Sequence, residues 1–427
     1  MSNSQNIKIL HVIPSMNPKE GGTVQALKTM ISGLPEDKVL NEIVSLDSVK
    51  SSFINGSPCV IHAIGNHTGP WKYNKRLASW LLANLAYFDC VIVHGLWSYA
   101  GYATRVALKK LARGASGAKL PKLLVMPHGM LDPYFQRAAN RKLKAFRNVI
   151  FWKLIEEKLV NSADALLFTC DEEMTLASIP FKPYAPKMGF VVGLGLAAPA
   201  PYNDSMREAF AKSCPSLNKS PFILFLGRID EKKGVDMLLK AYSKAIKVKE
   251  ADSNNIPILG VLPKLVIAGP GLDTIYGRNM QAMVTRDDGL RNMVIFPGML
   301  TGDAKWGAFY QSEAFILPSH QENFGVAVVE ALSCGVPVLI SNQVNIWREI
   351  NETGGCYVST DSVEGTFKLF QFWDKSSYKQ KQAMSRNALQ AYNKYFALAP
   401  AAKKLLKAIK ETLKIYPIIN ELQDEAF

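Results

Sequence analysis

The sequence predicts an α/β protein made of two Rossmann-like, doubly wound domains, and three observations carry that prediction. Short apolar, β-branched runs alternate with helical stretches along most of the chain, which is the pattern of a parallel sheet covered by helices on both faces. A proline-rich break, AAPAPYND, interrupts the alternation near residues 197–220, and the pattern then restarts. The chain has 427 residues, 48% of them hydrophobic, which is more than one core usually organises.

The first series opens with IKILHVI at residues 7–13, stopped by Pro14 and followed by a loop containing Gly21 and Gly22 and then a helical pattern. Further strands are predicted at 41–46, 60–64, 90–93, 122–126, 165–169 and 188–192. The second series begins with PFILFL at 221–226 and continues at 264–268, 294–296, 314–317 and 336–340. These runs set an N-terminal domain at 1–200 and a C-terminal domain at 215–400. The segment ADSNNIPILGVLP, ahead of KLVIA, is expected to be a surface loop. The stretch YNKYFALAPAAKKLLKAIKETLKIY has helical periodicity after an expected kink at Pro400.

Composition narrows the function. Cys59, Cys90, Cys170, Cys214, Cys334 and Cys356 are scattered, without CxxC or Cys/His spacing, so no disulfide framework and no metal site is expected. The first residues lack a basic segment leading into a long apolar run, and no apolar run approaches the roughly 20 residues that span a bilayer. A cytoplasmic protein is expected, with peripheral contact at the inner face of the cell membrane as an extension. Of the net charge of +14, residues 1–200 contribute +10, from 23 Lys/Arg against 13 Asp/Glu. Such an excess attracts polyanions, but no nucleic-acid-binding motif accompanies it. The densest stretch, Arg137 to Lys158, interleaves Leu143, Phe146, Val149, Ile150 and Trp152 with Arg141, Lys142, Lys144, Arg147 and Lys153. At helical spacing this is amphipathic. Either its apolar side packs on the domain, or it also meets an anionic membrane surface.

Open parallel sheets bind ligands beyond the C-terminal ends of their strands, so the loops after the strands hold the candidate chemistry. After PFILFL, Arg228 follows a glycine and Lys233 stands at a helix entrance. A guanidinium fork, an ammonium and a helix N-terminus together suit a diphosphate, and the same cations can offset the charge of a leaving diphosphate without a metal. In PSHQENFGVAVVEALSCGVPVLI, Glu322 sits at the loop tip and Glu330 lies eight positions on, along a helix that begins near residues 323–325. Largely helical spacing would part the two carboxylates by about 12 Å. A glycosidase acid/base pair needs roughly 5–9.5 Å, so the two suit opposite ends of one extended ligand. Glu322 then meets sugar hydroxyls, the N–H groups of Asn323, Phe324, Gly325 and Val326 face sugar and phosphate, and Glu330 meets ribose hydroxyls.

Gly227–Arg228, Lys233–Gly234, Pro318–Ser319, Glu322–Asn323–Phe324–Gly325, Glu330–Ala331 and Gly335–Val336–Pro337–Val338 together resemble the donor domain of retaining family 4 (group 1) glycosyltransferases with the GT-B fold. The resemblance spans most of residues 221–360. It implies two Rossmann-like domains facing across a cleft, the first completed by a C-terminal helix at about 400–427. By this similarity Arg228 and Lys233 bind the donor diphosphate, Glu322 the transferred sugar and Glu330 the nucleotide ribose. The turn holding Gly269 and Gly271 lies near the nucleotide, the loop ending at Leu300 touches the base through its backbone, and Gly21–Gly22 lies beside the diphosphate and acceptor. His128, at a strand end before Gly129, stands where the family's histidine contacts the donor sugar, and would hydrogen-bond a sugar hydroxyl or the leaving phosphate; His94 holds a similar position. The resemblance also implies retention, a nucleotide-sugar donor, a glycan or lipid-linked acceptor, no cofactor and no metal. VVGLGL at residues 191–196 departs from the family's Pro–Asn–Gly turn.

Two other classes compete. A dinucleotide-dependent oxidoreductase needs GxGxxG after its first strand, which LHVIPSMNPKEGG lacks. A non-catalytic nucleotide-sugar binder would use the same residues. Among enzymes, a soluble-acceptor glycoside synthase competes with a transferase building polysaccharide, lipopolysaccharide or glycolipid.

Overall fold

A computed structural model describes residues 6–54, 59–114, 120–138, 141–255 and 262–414. Two compact units divide the chain: unit 1 comprises Met1–Gly195 with Leu398–Phe427, and unit 2 comprises Leu196–Ala397.

Unit 1 contains β1 (Ile7–Ile13), β2 (Val39–Ser45), β3 (Val60–Ala63), β4 (Cys90–His94), β5 (Lys122–Met126), β6 (Ala165–Phe168) and β7 (Gly189–Val191). All pair in parallel, in the order β3-β2-β1-β4-β5-β6-β7. β1 and β4 are adjacent although two strands separate them in sequence, so the strand order reverses there. β4 and β6 are buried along their length, and β1 and β5 nearly so, because both sheet faces are covered there. One face packs Leu10, Val12, Val91, Val93 and Val125 against helical residues such as Leu81, Ala103 and Leu159. The other packs Ile7, Ile9, Ile92, Leu124 and Met126 against Met30 and Leu34, and against Leu405, Ala408 and Ile409 of the helix Leu398–Leu413. That helix begins before Pro400, which therefore sits in its first turn, where a missing N–H costs nothing. The chain breaks at extended Ala397 and not at the expected Pro400 kink.

Unit 2 contains β8 (Phe222–Leu226), β9 (Lys264–Ala268), β10 (Val294–Gly298), β11 (Ala314–Leu317), β12 (Val338–Ser341) and β13 (Cys356–Ser359), in the order β10-β9-β8-β11-β12-β13. Its pairs are also parallel, with the reversal between β8 and β11. β13, in the short and mixed segment CYVS, is absent from the sequence expectation; it gains its strand character by pairing with β12. Residues 251–255, expected in a surface loop, extend the helix Val235–Asn255. Residues 256–261 of that expected loop, and the tail 415–427, lie outside the described residues.

Candidate functional site

In unit 2 the loops after β8 and β11 flank the reversal of strand order, the position where doubly wound sheets bind ligands. The chain leaving β8 is laid against the chain leaving β9: the Gly227 N–H donates to the Ala268 carbonyl at 3.0 Å, and the Ile229 N–H to the Pro270 carbonyl at 2.8 Å. A Cβ on Gly269 would collide with the Gly227 carbonyl oxygen, and φ there is +143°. Only glycine fits this approach. Asp230 then caps the single turn Glu231–Lys233 by accepting from the Lys233 N–H at 3.2 Å. Gly234 follows at φ +68°, where a Cβ would lie 2.7 Å from the Pro318 carbonyl oxygen. The second loop closes on the first through the His320 N–H and the Ser319 hydroxyl, which donate to the Lys232 carbonyl at 2.9 and 3.0 Å.

This packing brings Lys233 to Glu322. Their side chains form an ion pair, with relative exposures of 15% and 17%, while the Glu322 backbone is bridged to residues 343–345 at 2.9 Å on either side. Burial pushes the Glu322 carboxyl up. The Lys233 and Lys232 charges, the Lys233 hydrogen bond and the Gly325 N–H outweigh it and hold the group below its ordinary value. Lys232 is lowered, chiefly by burial. Arg228 is largely exposed, with Nε 3.6 Å from Asp230. It stands at the rim, turned toward Asp230 rather than the Lys233–Glu322 pair.

Glu330 is not a solvated helix carboxylate. It lies buried in the helix Val326–Ser333 and pairs at 2.8 Å with Lys305, from the helix Gly302–Gln311. Gly325, at φ +74°, is the N-cap of Glu330's helix and offers no side chain to the first-turn N–H groups, which Val326 leads. Asn323 is half-buried. The side chains of Phe324 and Leu300 are buried, Phe324 edge-on to Phe396 with centroids 5.8 Å apart, so these two offer a ligand backbone rather than side chain. Gly271 lies beside Ile229.

Unit 1 holds a different kind of site. Beyond β1, β4 and β5, a pocket of about 180 Å³ is lined by residues that include Ser15, Glu20, Lys72, His94, Trp97 and Met130. Asp47 fixes the loop after β1, accepting from the Ser15 hydroxyl and the Met16 N–H at 2.7 Å each. Gly21, at φ +92°, caps the helix Gly22–Gly33, and the space beside both glycines is open. Trp97, at φ +64°, donates its N–H to Glu156 at 2.8 Å. Glu156 lies in the π-helical turn Trp152–Glu156, and its other carboxylate oxygen is buried without a hydrogen-bond partner among the described residues; burial pushes the group up to about 7. Glu173 braces the His128–Gly129 turn by accepting from the Gly129 N–H.

His128, half-buried at φ +54°, is held by His94, which is buried, stacked on His128 and tilted by 30° to His11. Burial lowers His11 and His128 to about 4. It also lowers His94, with the neighbouring histidines adding to the effect. Thus all three rings are neutral near pH 7.

The basic segment packs only part of its apolar side on the unit: Trp152 is buried in the core, and the apolar residues before it are not. In the helix Lys142–Phe151 only Asn148 is buried, whereas Leu143 is 88% and Phe146 68% exposed, with Val149, Ile150 and Leu154 exposed beside them. Lys142, Lys144, Arg147 and Lys153 interleave with them at the surface.

The arrangement therefore joins Lys233 with Glu322 and Lys305 with Glu330, and leaves Arg228 at the rim. His11, Lys232 and Lys305 escaped the sequence reading. A histidine inside the buried strand IKILHVI and the Lys232–Lys233 doublet were visible signals; Lys305 left none.

Two parallel, doubly wound units, one completed by a helix from the C-terminal end of the chain, define the GT-B class of fold. Anabaena Alr3699/HepE, solved in complex with UDP and glucose, has the same fold with a TM-score of 0.69 over 95% of this chain and 100% of its own, at 15% identity. Residues 206–391, within unit 2, match the family model described as glycosyl transferases group 1. An uncharacterized glycosyltransferase of Methanocaldococcus jannaschii is 27% identical over 218 residues, 50% of this chain and 49% of that protein. A D-inositol 3-phosphate glycosyltransferase of Kribbella flavida is 27% identical over 188 residues, 43% of this chain and 42% of that protein. The chain spans about half the length or less of these curated relatives, and the matches support a group 1 transferase.

Proposed function

We propose that the chain is a retaining, metal-independent glycosyltransferase of family 4 that moves a sugar from a nucleotide-sugar donor to a hydroxyl of a glycan or lipid-linked acceptor. The Lys233–Glu322 pair carries this reading: an ammonium and a carboxylate held together by two loops at the strand-order reversal of unit 2. An incoming diphosphate competes for Lys233 and draws Arg228 from the rim, which releases Glu322 to accept hydrogen bonds from sugar hydroxyls. Lys232, Lys233 and Arg228 then stabilise the charge that grows on the departing diphosphate, the office a metal would otherwise fill. Glu330, oriented by Lys305, accepts from the ribose hydroxyls. The UDP and glucose bound to the fold neighbour support a nucleotide-sugar.

For the chemical step, the acceptor oxygen bonds to the anomeric carbon on the face from which the diphosphate leaves, and its proton passes to the leaving phosphate oxygen. Positioning and electrostatics carry catalysis. The exposed basic and apolar helix Lys142–Phe151 supports peripheral docking on an anionic bilayer and a lipid-linked acceptor, as in polysaccharide, lipopolysaccharide or glycolipid synthesis.

A panel of nucleotide-sugar donors, read by thermal shift and by release of nucleoside diphosphate, tests the reading. One donor raises the melting temperature and turns over, and Glu322→Gln lowers that turnover at least a hundredfold. A donor that binds without turnover, equally with wild type and variant, defeats the enzyme assignment. Inversion at the anomeric carbon of the product defeats retention. Cosedimentation with anionic but not neutral vesicles, lost in Leu143→Ser/Phe146→Ser, supports membrane docking; equal binding to neutral vesicles overturns an electrostatic contact.

A further inference from the structure

Four polar side chains cross the unit 1 sheet in one row. Asn41 on β2, His11 on β1, His94 at the end of β4 and His128 beyond β5 stand on adjacent strands in the order β2-β1-β4-β5. His11 lies two residues after Ile9, Asn41 two after Val39 and His94 two after Ile92, so all three share the face of those core residues. Each junction is 3.0 Å: Asn41 Oδ1 to His11 Nε2, His11 Nδ1 to His94 Nε2, and His94 Nδ1 to His128 Nε2.

The chemistry of this row has one direction. A neutral imidazole carries one N–H and one lone pair. The Asn41 carbonyl oxygen only accepts, so His11 carries its proton on Nε2 and accepts at Nδ1. His94 must then donate from Nε2 and accept at Nδ1, and His128 must donate from Nε2. The ring nitrogen left over, Nδ1 of His128, has a lone pair and no partner among the described residues.

We infer that His11 and His94 are positioning residues: anchored on Asn41, they fix the tautomer of His128 so that its Nδ1 accepts a hydrogen bond from a ligand hydroxyl. The inference rests on the proposed glycosyl transfer only in taking that hydroxyl to belong to a sugar. A cationic or oppositely protonated His128 would offer a donor there instead and would favour phosphate oxygens. The row therefore biases His128 toward the sugar rather than the diphosphate. Burial of all three rings, which holds them neutral, is consistent with a tautomer lock and not with a proton reservoir.

Nitrogen-15 spectra of the histidine-labelled full chain at pH 7.5 read the tautomer directly. His128 is expected as the Nε2–H form in wild type and in Asn41→Asp, whose carboxylate also only accepts. Asn41→Leu and His11→Phe are expected to give a mixture of forms, and to lower kcat about fivefold to tenfold, the loss of one hydrogen bond, with the donor KM within about twofold. Asn41→Asp keeps kcat near the wild-type value, and this separates the lock from simple loss of packing. Nδ1–H on His128 in wild type, or a tautomer unmoved by Asn41→Leu and His11→Phe, overturns the inference. If the tautomer responds while wild type turns over no donor, the lock stands and the transferase reading falls.

Discussion

Units 1 and 2 share a parallel, doubly wound architecture yet equip their strand-end loops in opposite ways. Unit 2 keeps its functional groups charged and paired: Lys233 with Glu322, and Lys305 with Glu330. Unit 1 keeps the row of His11, His94 and His128 neutral, with the first two buried, and holds a carboxyl, Glu156, lifted to about 7 by burial. A diphosphate demands counter-charge that is already present, and ion pairs store it at small exposure without leaving a lone buried ion. A sugar hydroxyl demands a directed lone pair, which a neutral ring supplies. On the proposed reading, one sheet architecture serves two chemistries through what is placed on its loops.

The contrast is sharpest under charge removal. Lys233→Met should lower kcat by about a hundredfold to a thousandfold, because it deletes a phosphate cation and leaves Glu322 unpaired; steady-state kinetics on the donor identified by screening check this. An equal loss from Arg228→Met would break the ranking of paired over rim cation, since Arg228 is largely exposed. Next in size, Glu330→Gln should raise the donor KM about tenfold, near 1.4 kcal/mol, with kcat little changed. Lys305→Met should do the same, and the double variant should fall short of the summed effects because the pair acts as one.

The remaining predictions concern pH. His11 titrates near 4 when folded against 6.5 unfolded, so as pH falls the unfolded chain takes up protons first. Stability from this group is intact above about 6.5 and drains between 6.5 and 4. Hydrogen exchange should therefore show unit 1 peptides losing protection across that window, with the slope reduced in His11→Phe. Glu156 works the other way. Its folded value of about 7 lies above the ordinary 4.5, so its contribution is intact below 4.5 and lost as pH rises through 7. Glu156→Gln should raise the melting temperature at pH 8, on the order of 2–4 °C for each 1 kcal/mol recovered, and leave it unchanged at pH 5.

Much of the fold was legible because its signal is local. Runs such as LLVM at 123–126 and FILFL are apolar throughout, as a strand buried on both faces must be. β13 was not legible: CYVS carries no such run, and its pairing with β12 supplies what the segment lacks. Within the candidate site, Arg228, Lys233, Glu322 and Glu330 were recognisable by type and spacing, but their partners were not. Lys305 meets Glu330 across 25 residues, and His11 meets His94 across 83. Contacts of that reach are made by topology, which fixes them only once the sheet is assembled. The exposure of Leu143 and Phe146 was equally hidden, since an amphipathic period says that a face is apolar and not what covers it.

The helix Leu398–Leu413 packs Leu405, Ala408 and Ile409 onto the inner sheet face of unit 1, though all of unit 2 lies between them in sequence. On the ribosome this reverses the usual order of N-terminal domain first. The early-made sheet waits with part of one oily face uncovered while unit 2 closes by itself, and the helix Leu398–Leu413 then seals it. A polypeptide released before that helix is made carries a finished unit 2 and an unfinished unit 1 prone to aggregate. In such a chain the helix Leu398–Leu413, rather than the first half's own sequence, decides whether unit 1 closes.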